Sequence, residues 1–129
     1  MDPFASPHNL DRELQSLLAE ASTNLCDWFA ESGSKGPIPD PFDLPEVPPK
    51  KNGVSNSVLL KELQILMNAS FRPSHPGALA HLDPPPLSAS IVGEMICAGL
   101  NNNLLAEELS PSLSSLERKL CKWFCEKLG

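Results

Sequence analysis

Two histidines and an aspartate, the residues whose types could do chemistry, lie on one short strip of the chain. His75, His81 and Asp83 fall within twelve residues that also contain four prolines. Because proline interrupts helices, the strip should be extended and rigid. A histidine oriented by a carboxylate can act as a base, but no serine or cysteine nucleophile motif accompanies these residues. We interpret the strip as a wall for a polar ligand, with His75 satisfying backbone groups at the bend made by Pro76.

Two cysteines on the last predicted helix form the second group with chemical potential. Cys121 and Cys125 lie one helical turn apart, so both thiols could face a metal ion. Their spacing is not that of a zinc finger or ribbon, and buried cysteine packs as a small hydrophobe. No metal site is therefore predicted. The four cysteines also lack CxxC spacing, and no secretory signal precedes them, so we expect a reduced, cytoplasmic protein.

The overall composition favours a small helical protein. The chain has 129 residues, 41% of them hydrophobic and 5% aromatic, and no tyrosine. One modest core is possible, and a β-sandwich or barrel is disfavoured. The 14 prolines exceed ordinary usage. We predict an all-α chain of three to four helices with a proline-rich extended strap.

Negative charge dominates the sequence, with a formal net charge of −6. Before residue 33, six acidic residues accompany a single basic residue, Arg12. This balance gives no electrostatic attraction to nucleic acid or to an anionic membrane surface. No run of 18 apolar residues occurs that could span a membrane. We therefore predict neither a nucleic-acid partner nor a membrane partner.

Apolar periodicity and proline content divide the chain into three segments. Residues 1–32 are predicted to form an N-terminal amphipathic helix, because apolar residues recur there with a helical period. Residues 33–56 hold six prolines, so we expect a linker or a strap laid over another surface. The strap is favoured because a free linker would not need Phe42. Residues 57–129 are predicted to form the main helical segment.

Four helices are expected within these segments. They run from Ser6 to about Ser32, from Ser57 to about Ala69, from Ser88 to Leu100, and from Ser110-Pro111 to Leu128. Ser110 can cap backbone N–H groups, Pro111 suits the first helical position, and Gly129 suits the stop. Gly93 and Gly99 would let another backbone approach the third helix. The apolar face of the last helix needs a partner surface, so we expect marginal stability or self-association in isolation.

The second half of the chain resembles the N-terminal part of a known enzyme family. The residues that carry this likeness occur in a fixed order: His75-Pro76, Ala80-His81-Leu82, a proline run, Asn101, Ser110-Pro111, Leu116-Glu117 and Leu128-Gly129. In this order and spacing the chain resembles the group II pyridoxal-phosphate-dependent amino-acid decarboxylases. It is most similar to the branch that acts on aliphatic diamino acids such as 2,4-diaminobutyrate. The resemblance covers roughly the last 70 residues, from Ser57 onward.

The resemblance implies a substrate pocket and a contact across a dimer. In enzymes of this group, the strip matching residues 78–83 lines the substrate pocket of its own subunit. The hinge after the following helix reaches toward the neighbouring active site of a homodimer. By position, the pocket wall comprises Ala78, Leu79, His81 and Leu82, and the cross-subunit contact comprises Asn103 and Leu105. Members that act on aromatic substrates carry bulky aromatic residues along the strip, so this sequence implies a roomier pocket for an aliphatic or diamino acid.

The cofactor chemistry of the family is implied to lie elsewhere. These enzymes hold pyridoxal 5′-phosphate as a Schiff base on a lysine, with an aspartate at the pyridine nitrogen and a histidine stacked on the ring. All three residues lie beyond the matched region, in a large α/β domain of PLP fold type I. The resemblance therefore implies no catalytic and no cofactor-binding residue in this chain, which is expected to be inactive alone. We interpret the chain as an N-terminal segment of such a carboxy-lyase that stops where the cofactor domain would begin.

The sequence is also consistent with two other functions. A small helical module that scaffolds or regulates another protein would use the same acidic helix and strap. A reading frame that continues past Gly129 into a lysine-bearing domain favours the decarboxylase segment, whereas a stop codon there favours the module. A free-standing hydrolase using His81 and Asp83 would need a measured activity that His81→Ala abolishes.

Overall fold

The computed structural model describes residues 4–40, 51–79 and 82–129, and every regular element in these ranges is helical. The predicted all-α class is therefore confirmed. The helices are α1 (Arg12–Ala30), α2 (Asn56–Asn68), α3 (Ser88–Leu100) and α4 (Pro111–Leu128), with short 3₁₀ turns at Glu31–Gly33 and Glu107–Leu109. The chain forms two compact units, and the boundary between them along the sequence follows Pro85. The three-segment division made from the sequence stays a prediction.

Helix α1 begins later than its apolar pattern predicts. The Asp11 carboxylate Oδ1 accepts a 2.9 Å hydrogen bond from the backbone N–H of Leu14, which makes Asp11 the N-cap. The expected start at Ser6 is wrong, because the Ser6 hydroxyl instead accepts a 3.3 Å bond from the N–H of Asn9 in a separate turn. The helix ends at Ala30 and continues as a 3₁₀ turn to Gly33.

The first unit is built around a contact between α1 and α2. Trp28 on α1 and Leu60 on α2 are its buried apolar side chains among the described residues. At the other end of the helix pair, the side-chain amide of Asn56 donates a 3.1 Å hydrogen bond to Glu13 Oε1. Helix α2 lies within one residue of its predicted bounds, because Ser55 accepts a bond from the Val58 N–H. Phe42, on which the strap interpretation depends, lies outside the described residues.

The second unit holds α3 and α4, which do not pack against each other. Helix α3 has the predicted bounds and is capped by Asn101, whose φ of 44° places it in the left-handed region. Methyl groups added at Gly93 or Gly99 would meet no atom within 4 Å. The close backbone contact predicted at these glycines is therefore not supplied by the described residues.

Helix α4 starts as predicted at Pro111, but its cap differs from the prediction. The Ser110 side chain makes no capping bond, and its hydroxyl is fully buried without a hydrogen-bond partner in the described part of the chain. The φ and ψ of Ser110, −154° and 61°, position its carbonyl to accept the N–H of Ser114 at 3.0 Å. Gly129 caps the other end with a φ of 87°, as predicted.

Apolar faces of the second unit remain open to solvent. No residue of α3 is buried, and Ser114 is the only buried residue of α4. About half of the surface of each of four α4 side chains is exposed: Leu116, Leu120, Trp123 and Phe124. Within the described ranges, no helix is both long enough and apolar enough to cross a membrane.

Candidate functional site

The strip that carries the predicted pocket wall is anchored to α1 by Arg72. Its backbone N–H donates a 2.9 Å hydrogen bond to the Pro37 carbonyl. Its guanidinium Nη1 donates a second 2.9 Å bond to the Trp28 carbonyl, and the guanidinium carbon lies 4.8 Å from the centroid of the Trp28 ring. Only 3% of Arg72 is exposed. The anchor thus fixes where the strip leaves α2.

His75 forms the bend that the sequence predicts. Its Nδ1 accepts a 2.8 Å hydrogen bond from the backbone N–H of Gly77. The His75 carbonyl accepts the N–H of Ala78 at 2.9 Å, and the His75 N–H binds the Arg72 carbonyl at 3.1 Å. The interpretation of His75 as a residue that satisfies backbone groups is confirmed. Its bonded ring nitrogen is not available as a base.

The pocket-wall residues that the structure describes are turned largely to solvent. Ala78 is half-buried, whereas Leu79 is 77% exposed and Leu82 is 99% exposed. The two clefts described below for the first unit are lined by other residues. His81 lies outside the described residues, so its place in the pocket wall stays a prediction. Among the described residues, no second surface faces these side chains to close a pocket around them.

The predicted cross-subunit residues form a tight polar turn after α3. Asn103 Oδ1 accepts a 2.8 Å hydrogen bond from the backbone N–H of Leu105, a geometry typical of an Asx turn. The Leu105 side chain is 89% exposed. The turn is followed by the 3₁₀ turn at Glu107–Leu109, where Glu107 pairs with Arg118 at 2.8 Å. Asn103 therefore shapes a turn that presents an apolar side chain outward.

Two carboxylates of the first unit have lowered pKa values. The pKa of Asp11 is below its ordinary value chiefly because its carboxylate accepts the Leu14 N–H at the start of α1. The pKa of Glu31 is lowered by its hydrogen bond and ion pair with Lys35, and the charge of Arg72 adds a smaller effect. Local partners, the Leu14 N–H for Asp11 and Lys35 for Glu31, thus explain both shifts without a catalytic role.

The four cysteines are potential metal ligands, together with other side chains in the described part of the chain. No group of three or more histidine, cysteine, aspartate or glutamate side chains in the described ranges could hold a metal ion. All four cysteines are free and exposed. The expectation that they pack as buried small hydrophobes is therefore wrong, because the helix faces that carry them have no covering element within the described chain.

A cleft of the first unit beside Arg72 was not predicted from the sequence. It has a volume of about 730 Å³ and is lined by Lys35, Gly36, Ile38, Pro39, Asp40, Ile65, Asn68, Ala69 and Arg72. A second, apolar groove of about 280 Å³ lies between α1 and α2. The signal that could have indicated the first cleft is the single arginine between Phe71 and Pro73, directly after an apolar helix.

Comparison with known proteins gives one distant similarity. No protein-family model matches the chain. The chain is similar to an L-2,4-diaminobutyrate decarboxylase of Acinetobacter baumannii, with 25% identity over 120 residues that cover 91% of this chain and 24% of that enzyme. The chain thus spans about a quarter of the length of the curated relative it matches. Identity at this level supports a distant relationship to that decarboxylase.

The extent of this similarity adds to the sequence interpretation. Because it covers 91% of the chain, it takes in most of α1 and the proline-rich residues 33–56. The resemblance described from Ser57 onward therefore continues into the N-terminal segment. The distant similarity therefore spans most of the chain rather than its second half alone.

Proposed function

We propose that this chain serves as the helical N-terminal segment of a pyridoxal-phosphate-dependent amino-acid decarboxylase, where it supplies a dimer contact and part of the substrate-pocket wall. The observation that carries the proposal is the similarity to L-2,4-diaminobutyrate decarboxylase over 91% of the chain. The order of the motifs from His75 to Gly129 supports it independently of the overall identity.

The exposed apolar faces support a role that requires a second surface. Leu116, Leu120, Trp123 and Phe124 each keep about half of their surface in contact with water. Burying a side chain of this size contributes about 1.5 to 3 kcal/mol before entropy, so covering the face would stabilise α4 substantially. In the proposed function, a partner subunit and the remainder of the enzyme cover these faces.

The proposed substrate is an aliphatic or diamino acid. Ala78, Leu79, His81 and Leu82 would line its pocket, while Asn103 and Leu105 would reach the neighbouring subunit. The small and aliphatic side chains of this strip leave room that aromatic residues would fill. The near-complete exposure of Leu82 and Leu105 is compatible with contacts to elements outside this chain.

The described residues do not form a pyridoxal phosphate site. Such a site needs a lysine near an aspartate and a ring that stacks on the cofactor. The six described lysines are all exposed. Lys35 shares its cleft with Asp40, but no histidine or aromatic side chain lines that cleft. In the proposed enzyme the cofactor, its lysine and the carbon–carbon bond cleavage belong to another domain, and this chain contributes binding and positioning.

The exposed faces of α3 and α4 would equally suit a small helical interaction module with no catalytic role. The two functions differ in which surface covers the faces. In the first function, the rest of a decarboxylase covers these faces; in the second, another protein that the module scaffolds or regulates covers them.

Trapping with pyridoxal phosphate tests the proposed absence of cofactor chemistry. The full chain is mixed with pyridoxal phosphate, reduced with borohydride, and analysed by mass spectrometry. The proposal predicts low, scattered labelling across the exposed lysines. Stoichiometric labelling of one lysine would overturn it, because the chain would then hold the cofactor itself.

A further inference from the structure

Arg72 is a buried cation that forms no direct ion pair in the described part of the chain, although its charge has a small effect on the pKa of Glu31. Only 3% of the residue is exposed, and its described side-chain contacts are the Trp28 carbonyl and the Trp28 ring. The ion pairs formed among the described residues involve other groups. Buried charges are normally paired, because desolvation is costly. A complementary anion next to this guanidinium would therefore be stabilised.

The cleft of about 730 Å³ gives such an anion a place to bind. Arg72 and Lys35 supply positive charge to its lining, and Asn68 supplies a side-chain amide. Ile38 and Ile65 supply aliphatic surface. This volume and this mixture of apolar walls with a few polar groups are typical of small-molecule sites.

The negative groups near the cleft limit the charge of the ligand. Lys35 forms an ion pair with Glu31 and would share its charge with a ligand, whereas Arg72 forms no direct ion pair among the described residues. Asp40 also lines the cleft, and its charge would repel a second anionic group on the ligand. A ligand with one carboxylate and an aliphatic body therefore fits the lining better than a phosphate or a dicarboxylate.

We propose that this cleft binds a small aliphatic monocarboxylate, with the carboxylate at Arg72 and Lys35 and the aliphatic chain against Ile38 and Ile65. The cleft contains none of the predicted pocket-wall residues, so the site is separate from the proposed substrate pocket. The inference goes beyond the proposed function and does not depend on it.

A titration of the full isotope-labelled chain with 4-methylpentanoate, followed by amide NMR, tests the site. The proposal predicts saturable shifts at the cleft residues Lys35, Gly36, Asn68 and Ala69. The matched amine, 4-methylpentan-1-amine, and inorganic phosphate should produce no saturable shift there. Absence of saturation by the carboxylate, equal binding of the amine, or a stronger response to phosphate would each overturn the proposal.

Two surface variants assign the binding to this cleft without endangering the fold. Lys35→Gln should weaken the affinity for 4-methylpentanoate about fivefold, the loss expected for an exposed charge contact. Ile65→Ser should weaken it through loss of apolar contact, because Ile65 lines the cleft and is 37% exposed. Lys61→Gln is the matched control, since Lys61 is exposed on α2 but lies outside the cleft lining. Unchanged affinity in both cleft variants would overturn the assignment.

Discussion

The guanidinium of Arg72 lies 4.8 Å from the centroid of the Trp28 ring and donates a 2.9 Å hydrogen bond to the Trp28 carbonyl. The two residues are 44 positions apart in the sequence. Ser32 Oγ donates to the same carbonyl at 3.2 Å, so one backbone oxygen joins the end of α1 to the residues that follow α2. This contact fixes the direction in which the candidate pocket strip begins.

Replacing Arg72 should destabilise the first unit. Arg72→Met keeps the length of the side chain but removes a charged hydrogen bond and a cation–π contact, which together contribute about 2 to 4 kcal/mol. Urea unfolding should show a loss of that size in the free energy of unfolding. Arg12→Met, at the exposed start of α1, is the control and should change stability by less than about 0.5 kcal/mol. Equal stability of both variants would show that the contact with Trp28 contributes nothing.

Gly77→Ala should disturb the bend made by His75. A methyl group at Gly77 would lie 3.1 Å from His75 Nδ1 and Cε1, closer than ordinary carbon contacts. The imidazole must then shift and weaken its bond to the residue-77 N–H, at a cost of about 1 kcal/mol. Amide hydrogen exchange at residue 77 should become faster.

Gly33→Ala is the matched control for that measurement, because a methyl group there meets no atom within 4 Å. Its exchange rates at residue 77, and at residue 79, whose N–H donates to the Gly77 carbonyl, should equal those of the unsubstituted chain. Slow exchange at residue 77 in Gly77→Ala would mean that the His75 ring adapts without losing its hydrogen bond.

The stability of α1 should fall in acid because of its cap. Hydrogen bonding to the Leu14 N–H lowers the pKa of Asp11 in the folded chain. A lowered folded pKa means that the stabilisation is complete above the unfolded value, about 3.9, and is lost as pH falls through the folded pKa. Circular dichroism and the Leu14 amide shift should therefore be constant from neutral pH to about pH 5 and change below it.

Asp11→Asn separates capping from charge. Asparagine is a good N-cap but does not titrate, so α1 should persist and the Leu14 amide shift should lose its acid transition. If the transition remains in Asp11→Asn, another carboxylate causes it.

The open face of α4 should promote self-association. Leu120 is 48% exposed and lies at the centre of the apolar stripe with Trp123 and Phe124. Leu120→Lys should lower self-association in sedimentation velocity experiments, because a charged side chain cannot be buried cheaply in an apolar contact. Glu126→Lys, which is exposed and lies about 120° around the helix from Leu120, is the control for added positive charge. Concentration-independent sedimentation of the unsubstituted chain as a monomer would contradict this prediction.

Local signals in the sequence predict most helices but not the contacts that hold them together. The bounds of α3 follow from the prolines before Ser88 and the asparagines after Leu100, and Pro111 marks the start of α4. The start of α1 was misplaced because Ser6 and Asp11 are both acceptable caps, and only the structure shows which one bonds to the helix. Ser110 was assigned a capping role from its residue type, but its backbone conformation buries its hydroxyl.

The same difference between local and long-range contacts applies to the candidate sites. The role of His75 could be predicted because its partner, Gly77, lies two residues away. The contact between Arg72 and Trp28 could not, since no local pattern reports a pairing across 44 positions. The substrate-wall and cross-subunit roles come from the family resemblance alone and stay predictions.

A chimeric enzyme tests the central claim most directly. The matched region of the Acinetobacter L-2,4-diaminobutyrate decarboxylase, 120 aligned residues in length, is replaced by the corresponding residues of this chain, and decarboxylation of L-2,4-diaminobutyrate is measured. The proposed function predicts a folded oligomer that retains decarboxylation, and Leu105→Lys in the chimera should lower activity by disturbing the cross-subunit contact. A chimera that folds and assembles like the parent enzyme but has no decarboxylase activity would contradict the proposed role of this chain.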